Sequence, residues 1–283
     1  MEIIKPYITE NIKKYGELSI LESLGSFPKQ KQMSDKITEK LFDKVYGIRQ
    51  DTFFVGLEEF GDPNIKIAEI TWERGNGQTE AFLKNLTKDG KIMIQVNISS
   101  FDLRGISKEM FFEKISYIIA HELMHSNIYY KRLANGQDIH DTPKFYNNAI
   151  VMYRNCDDLL FKYFAYAIYN TFYQERQAMI SQTETLIFNQ LNREDVKSNK
   201  NINKIISNLV KESDAYEIYS FNIKVCQELK DNTERKENLK KELEKYFIKV
   251  YNIDKLIDKI DSLSKEAINR IYKNSMLYFE KNS

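Results

Sequence analysis

The sequence predicts an α+β fold, in which a small sheet leads into a long helix and a mainly helical extension follows at the C-terminal end. Residues 91–99, KIMIQVNIS, alternate apolar and polar side chains at the period of a strand with one buried face. Residues 52–60 and 65–72 are separated by the turn sequence GDPN, which indicates a hairpin. Ser107 is the predicted N-cap of a long helix, and Thr142-Pro143 is predicted to open the next helix as cap residue and N1 proline. From Ser107 onwards apolar residues recur at helical spacing, so helices are expected in the rest of the chain.

Changes in composition divide the chain into three parts. Residues 1–49 are predicted to form an N-terminal helical segment, residues 50–191 the central domain, and residues 204–283 a helical extension. The polar stretch 192–203 is the predicted linker between the last two parts. A length of 283 residues is sufficient for this arrangement of one or two domains.

The composition argues against several classes of partner. With 42 basic and 41 acidic residues the net charge is +1, so no overall field favours nucleic acid or an anionic membrane. No stretch approaches the roughly 18 apolar residues of a membrane span, and the first residues lack the apolar region of a secretory signal. Cys156 and Cys226 are far apart in sequence, as ordinary thiols of a reducing compartment are. We therefore expect a soluble, cytoplasmic protein.

The residues that carry chemistry are His121-Glu122-Leu123-Met124-His125. Positions i and i+4 of a helix lie about 40° apart around its axis, so both imidazoles can occupy corners of a tetrahedral zinc site. A carboxylate beside a metal-activated water can accept its proton and pass it to a leaving amine, which is the predicted role of Glu122 as general base. The chain has only 3 histidines, and chance would place two of them in this pattern in roughly a few sequences per thousand. The motif therefore predicts Zn²⁺ as the cofactor.

Zinc needs a third protein ligand, and the sequence leaves its identity open. The remaining histidine, His140, follows a helix stop at Asn135-Gly136, after which the chain can fold back towards the metal. Glu175 is the rival, because it lies on a downstream helix, and Glu184 or another carboxylate is a third option.

HELMH, the fourteen residues after it and the stretch His140-Asp141-Thr142-Pro143-Lys144-Phe145 resemble the active site of SprT-like zinc metallopeptidases. The resemblance covers about residues 90–150. It implies a minimal zincin-like catalytic domain, His140 as the third zinc ligand, residues 95–98 on the strand that borders the cleft, and hydrolysis of peptide bonds. The stretch from Glu175 to Ala178 resembles instead the glutamate helix of gluzincins.

The function predicted from these residues is that of a zinc-dependent metallopeptidase acting on a protein or peptide substrate. One alternative is a catalytically inactive, zinc-stabilised structural or interaction protein, for example of phage origin, with the C-terminal helices as its partner-binding surface. A second alternative is a regulatory protease that is specific for one partner protein.

Overall fold

The computed structural model describes residues 31–43, 52–56, 66–73, 80–84, 93–99, 107–134, 144–192 and 201–282. The described helices, in chain order, are α1 (31–43), α2 (Lys108–Ala134), α3 (Lys144–Asn155), α4 (Leu159–Thr171), α5 (Tyr173–Leu191), α6 (Ile202–Lys211), α7 (Asp214–Lys230), α8 (Thr233–Lys245) and α9 (Ile253–Asn282). The strands are β1 (Thr52–Gly56), β2 (Lys66–Glu73), β3 (Glu80–Lys84) and β4 (Met93–Ser99).

The four strands pair in the order β1-β2-β4-β3. Strand β2 is antiparallel to β1 and parallel to β4, and β3 is antiparallel to β4. Of these strands, β3 and β4 lie against α2.

The prediction of an α+β fold is wrong. In the ranges 31–43, 107–134, 144–192 and 201–282, 89% of the residues are helical and none lies in a strand. The helix that carries the His-Glu motif, α2, packs chiefly along another helix, α5. Alternation of apolar residues indicates the local conformation of a few residues, whereas the fold class depends on which elements share the core. Here that core is made by helices.

Polar caps explain where several helices begin. The hydroxyl of Ser107 accepts a hydrogen bond from the Met110 backbone N–H at 3.2 Å, so the predicted cap of the motif helix is confirmed. Asp158, Ser213 and Asn232 cap α4, α7 and α8 in the same way. The cap predicted at Thr142-Pro143 lies outside the described residues.

Among the described residues, two apolar clusters join the helices. The first joins α3 and α4 to α7, α8 and α9, with Phe164 and Ile257 among its fully buried members. The second joins α5 to α6, α7 and α9, with Tyr219 and Ile271 at its centre. Both clusters combine side chains from before and after the predicted linker at 192–203, although the division into three parts itself stays a prediction. None of the described helices is both long and apolar enough to cross a membrane.

Candidate metal centre

Helix α2 directs the motif towards the interior. The residues on its inner face that precede the motif, Ile115, Ile119 and Ala120, are at most 1% exposed. Burial of this apolar face fixes the rotation of the helix, because one side of it must remain against its neighbours. His125 is consequently 9% exposed and Glu122 only 6% exposed.

Helix α5 runs antiparallel to α2 and brings Glu175 to the two histidines. Helix α4 ends and α5 begins at Phe172, whose backbone is extended (φ −63°, ψ 147°). Glu175 lies in the first turn of α5. The Glu175 carboxylate lies 3.7 Å from Nε2 of His125 and 4.0 Å from Nε2 of His121. The two Nε2 atoms are 3.2 Å apart. These three residues form a group whose ligand atoms all lie within 4.8 Å of one another.

These distances suit a small cation. A tetrahedral zinc ion with bonds of about 2.0–2.1 Å would hold two nitrogen ligands roughly 3.3 Å apart, and the two Nε2 atoms are already separated by 3.2 Å. For the side-chain atoms alone, the exposed fractions are 17% for His121, 11% for His125 and 23% for Glu175, so the ligand groups are largely shielded from solvent. The prediction of a metal-binding group on the motif helix is therefore confirmed in its coarse form, since these residues could hold a metal ion.

Both imidazoles are held in the neutral form that metal coordination needs. Burial lowers the pKa of His121 to about 4, against the opposing effect of its hydrogen bond to Gln182. Burial, followed by the proximity of His121, lowers the pKa of His125 to about 3. At neutral pH these residues are therefore uncharged and form no ion pair with Glu175, so each ring has a lone pair to donate.

The pKa of Glu175, unlike that of the two histidines, is raised by its surroundings. Burial raises the pKa of Glu175 to about 7, and a hydrogen bond from the Tyr169 hydroxyl acts against that rise. Burial, the charge of Glu175 and the same hydrogen bond raise the pKa of Tyr169, so its hydroxyl keeps its proton and donates. The hydroxyl of Tyr146 in turn donates to the Tyr169 backbone carbonyl at 3.2 Å. The half-buried Tyr169 of α4 thus lies beside the carboxylate, and the buried Tyr146 of α3 binds the backbone of Tyr169.

A row of polar side chains on α5 faces α2. Glu175, Gln182 and Asn189 are seven residues apart and so lie on one side of the helix. Oε1 of Gln182 lies 2.9 Å from Nδ1 of His121, and Nδ2 of Asn189 donates to Oγ of Ser116 at 2.8 Å. These polar contacts join α5 to α2 from the histidine motif to Ser116.

The structure brings some of the predicted site residues together and places others elsewhere. His121, His125 and Glu175 are brought together, with Glu122 buried next to the first histidine in the chain. His140 lies outside the described residues, so its role stays a prediction. Glu184 is elsewhere, since it accepts a hydrogen bond from Asn274 of α9 at 2.6 Å.

Gln182 is the contact that sequence reasoning missed. Its heptad spacing from Glu175 was the available signal, but a glutamine in a polar helix is usually solvated.

Comparison of the chain with protein-family models, with curated proteins and with solved structures gives no match. The resemblance to SprT-like metallopeptidases therefore stays a prediction that rests on the residues quoted for it.

Proposed function

We propose that this chain is a zinc-dependent peptide hydrolase in which His121, His125 and Glu175 hold the metal. The observation that carries the proposal is the convergence of the three ligand atoms within 4.8 Å. Two imidazole nitrogens and one carboxylate oxygen are a donor set typical of catalytic zinc sites with three protein ligands. When bound, zinc would supply a Lewis acid that acidifies a water molecule and polarises a substrate carbonyl.

Glu122 is the proposed general base. It follows His121 directly and is 6% exposed, so its carboxylate would act in a largely water-free space where electrostatic interactions are strong. Its oxygen accepts a proton from the attacking water and returns it to the nitrogen of the leaving amine. Two neutral imidazoles and the Glu175 carboxylate carry a total charge of −1, so a dipositive ion with these three ligands would have a net charge of about +1. That charge would favour a negatively charged transition state.

A second candidate function is that of a zinc-stabilised scaffold without turnover. It is favoured by the low exposure of Glu122 and His125, 6% and 9%, because a peptide must reach both residues to be cleaved. The two candidates share the metal and differ in activity, so one set of variants tests both.

The first experiment measures the zinc content of protein purified without a His tag or added metal. We expect near-stoichiometric zinc in the wild type and in Glu122→Gln, and loss of zinc in His125→Ala and Glu175→Ala. Glu184→Gln is the matched control, because it alters another buried carboxylate of α5 that lies outside the metal group. Retention of zinc in Glu175→Ala with loss in His140→Ala would instead assign the third ligand to His140. Absence of zinc from every version, even after zinc is added, would end the proposal.

The second experiment compares turnover of an unfolded protein substrate by wild type and Glu122→Gln. Loss of a general base typically lowers the rate by about 10²–10⁴-fold, and we expect that loss at unchanged zinc content. If both proteins bind zinc and neither cleaves the substrate, hydrolysis of general peptide substrates is ruled out, and the zinc-stabilised scaffold and a protease specific for one partner protein are the two functions left.

A further inference from the structure

We propose that Gln182 is a positioning residue that fixes the proton of His121 on Nδ1 and thereby presents the lone pair of Nε2 to the metal. This inference rests on the proposed metal site and assigns a residue to it that touches no metal itself. Its basis is the 2.9 Å approach of the Gln182 amide oxygen to Nδ1.

The donor and acceptor roles follow from the chemistry of the two groups. A neutral imidazole carries one proton, on Nδ1 or on Nε2, and the partner of one nitrogen decides which. In the structure the amide of Gln182 is oriented with Oε1 towards Nδ1 of His121, and because an amide oxygen only accepts, Nδ1 donates to it. The lone pair then resides on Nε2, which faces His125 and Glu175.

The other tautomer would disable the pair as ligands. With the proton on Nε2, His121 would donate to Nε2 of His125 across the 3.2 Å between them. Nε2 of His121 would then carry a proton in place of a free lone pair, and the lone pair of His125 Nε2 would be occupied by the hydrogen bond, so neither could bind a metal ion. The contact with Gln182 therefore excludes the arrangement in which His121 donates to His125, and it leaves the lone pair of His121 Nε2 available to a metal ion.

Metal-bound histidines are generally oriented by a hydrogen bond from their other ring nitrogen, and loss of that partner typically weakens metal binding by about 10–100-fold. An amide does this without adding charge. Gln182 approaches from α5, the same helix that supplies Glu175, so one helix both donates a ligand and orients another.

The test compares zinc affinity in four proteins: wild type, Gln182→Met, Gln182→Glu and Asn189→Leu. Methionine keeps the length of the side chain without the acceptor, and we expect zinc to bind about 10–100-fold more weakly. Glutamate retains an acceptor, so Gln182→Glu should bind zinc at least as tightly as wild type. Asn189→Leu is the matched control, because it removes an equivalent hydrogen bond one heptad further along the same seam. We expect its affinity to stay within about 3-fold of wild type, since Asn189 orients no ligand.

A second readout needs no metal. Nitrogen-15 NMR of the imidazoles in the metal-free protein should show the His121 proton on Nδ1 in wild type and Gln182→Glu, and a mixture of tautomers in Gln182→Met. A proton on Nε2 of His121 in wild type, or undiminished zinc affinity in Gln182→Met, would overturn the inference. Failure of wild type to bind zinc would instead overturn the proposed function, and the tautomer measurement would still report on Gln182.

Discussion

At the scale of single residues, the Tyr169 hydroxyl interacts with the Glu175 carboxylate and opposes the rise of its pKa. We expect Tyr169→Phe to weaken zinc binding by roughly 10-fold or more, because a hydrogen-bonded ligand loses its orienting partner. Competition with a chromophoric chelator measures the affinity. The control is Tyr166→Phe, since Tyr166 lies one turn earlier in α4, is half-buried like Tyr169 and is not a member of the metal group. If Tyr169→Phe and Tyr166→Phe bind zinc with the same affinity, the Tyr169 hydroxyl does not orient Glu175.

A second residue-scale prediction concerns Glu184, a fully enclosed carboxyl group away from the metal group. Burial raises the pKa of Glu184 to about 7, against the effects of Arg270 and Asn274. A carboxyl whose folded pKa is raised contributes stability that is complete below its unfolded pKa and is lost as the pH rises through the folded pKa. The loss therefore falls between the model-peptide value of 4.5 and about 7.

Replacing Glu184 with glutamine removes this titration and keeps an acceptor for Asn274. We expect Glu184→Gln to gain free energy of unfolding relative to wild type between about pH 5 and about pH 8, by roughly 1–3 kcal/mol. Urea titrations at the two pH values measure the difference. A difference between the two proteins that does not change with pH would contradict the assigned pKa.

The site residues divide into those that local sequence reveals and those that it does not. His121, Glu122 and His125 are visible because a helix imposes their geometry at fixed spacing. Glu175 and Gln182 reach the site through the approach of α5 to α2. Local sequence leaves that approach undetermined, and Glu175 was therefore only one of several candidates.

At the scale of elements, α5 shows why composition misleads. Its sequence, YQERQAMISQTETLIFNQL, is typical of a solvated helix, yet Gln174, Arg176, Gln177 and Glu184 are among its buried residues. A polar helix can be buried when its neighbours satisfy its side chains. Arg270 of α9 donates to Gln177 at 2.8 Å and Asn274 to Glu184 at 2.6 Å. Hydrophobic periodicity does not detect such polar pairs. It therefore predicts that α5 is a helix but not that its polar side chains are buried.

The end of α8 provides the element-scale prediction. The backbone N–H of Ile248 donates to the carbonyl oxygen of Leu243 at 2.8 Å, and the backbone N–H of Phe247 donates to the carbonyl oxygen of Glu244 at 3.0 Å. These two hydrogen bonds are the pattern of a Schellman motif. Phe247 occupies the position that usually belongs to glycine, with φ at 58°. A residue with a Cβ atom in this left-handed conformation costs roughly 1–2 kcal/mol.

Phe247 is also 83% exposed, so its ring contributes little packing. We expect Phe247→Gly to raise the free energy of unfolding by about 1 kcal/mol, after the greater chain entropy of unfolded glycine is subtracted. Phe247→Ala is the control and should change stability little, because it keeps Cβ in the strained conformation. Thermal unfolding measures both. A destabilised glycine variant would mean that the phenylalanine ring makes a contact that stabilises the native state.

At the scale of the whole molecule, α9 connects the two apolar clusters. Ile257 and Ile260 belong to the first cluster, and Ala267 and Ile271 to the second. The helix also contacts α5, which bears Glu175 and Gln182 on its other side, towards α2. The sequence predicts helices throughout residues 204–283 but does not determine which earlier helices they pack against, because helical periodicity identifies an apolar face and not its partner.

This arrangement predicts the consequence of removing α9. Each buried isoleucine contributes on the order of 2–5 kcal/mol to stability, whereas a whole domain is stable by about 5–15 kcal/mol. Deletion of residues 253–283 should therefore abolish cooperative unfolding in far-UV circular dichroism, and zinc binding with it, although α9 supplies no member of the metal group. A chain that lacks only residues 281–283 is the control and should unfold as wild type does. If instead residues 1–252 fold and bind zinc, residues 204–283 are a separable extension in the sense that the sequence predicted, and the metal centre depends only on the packing of α5 against α2.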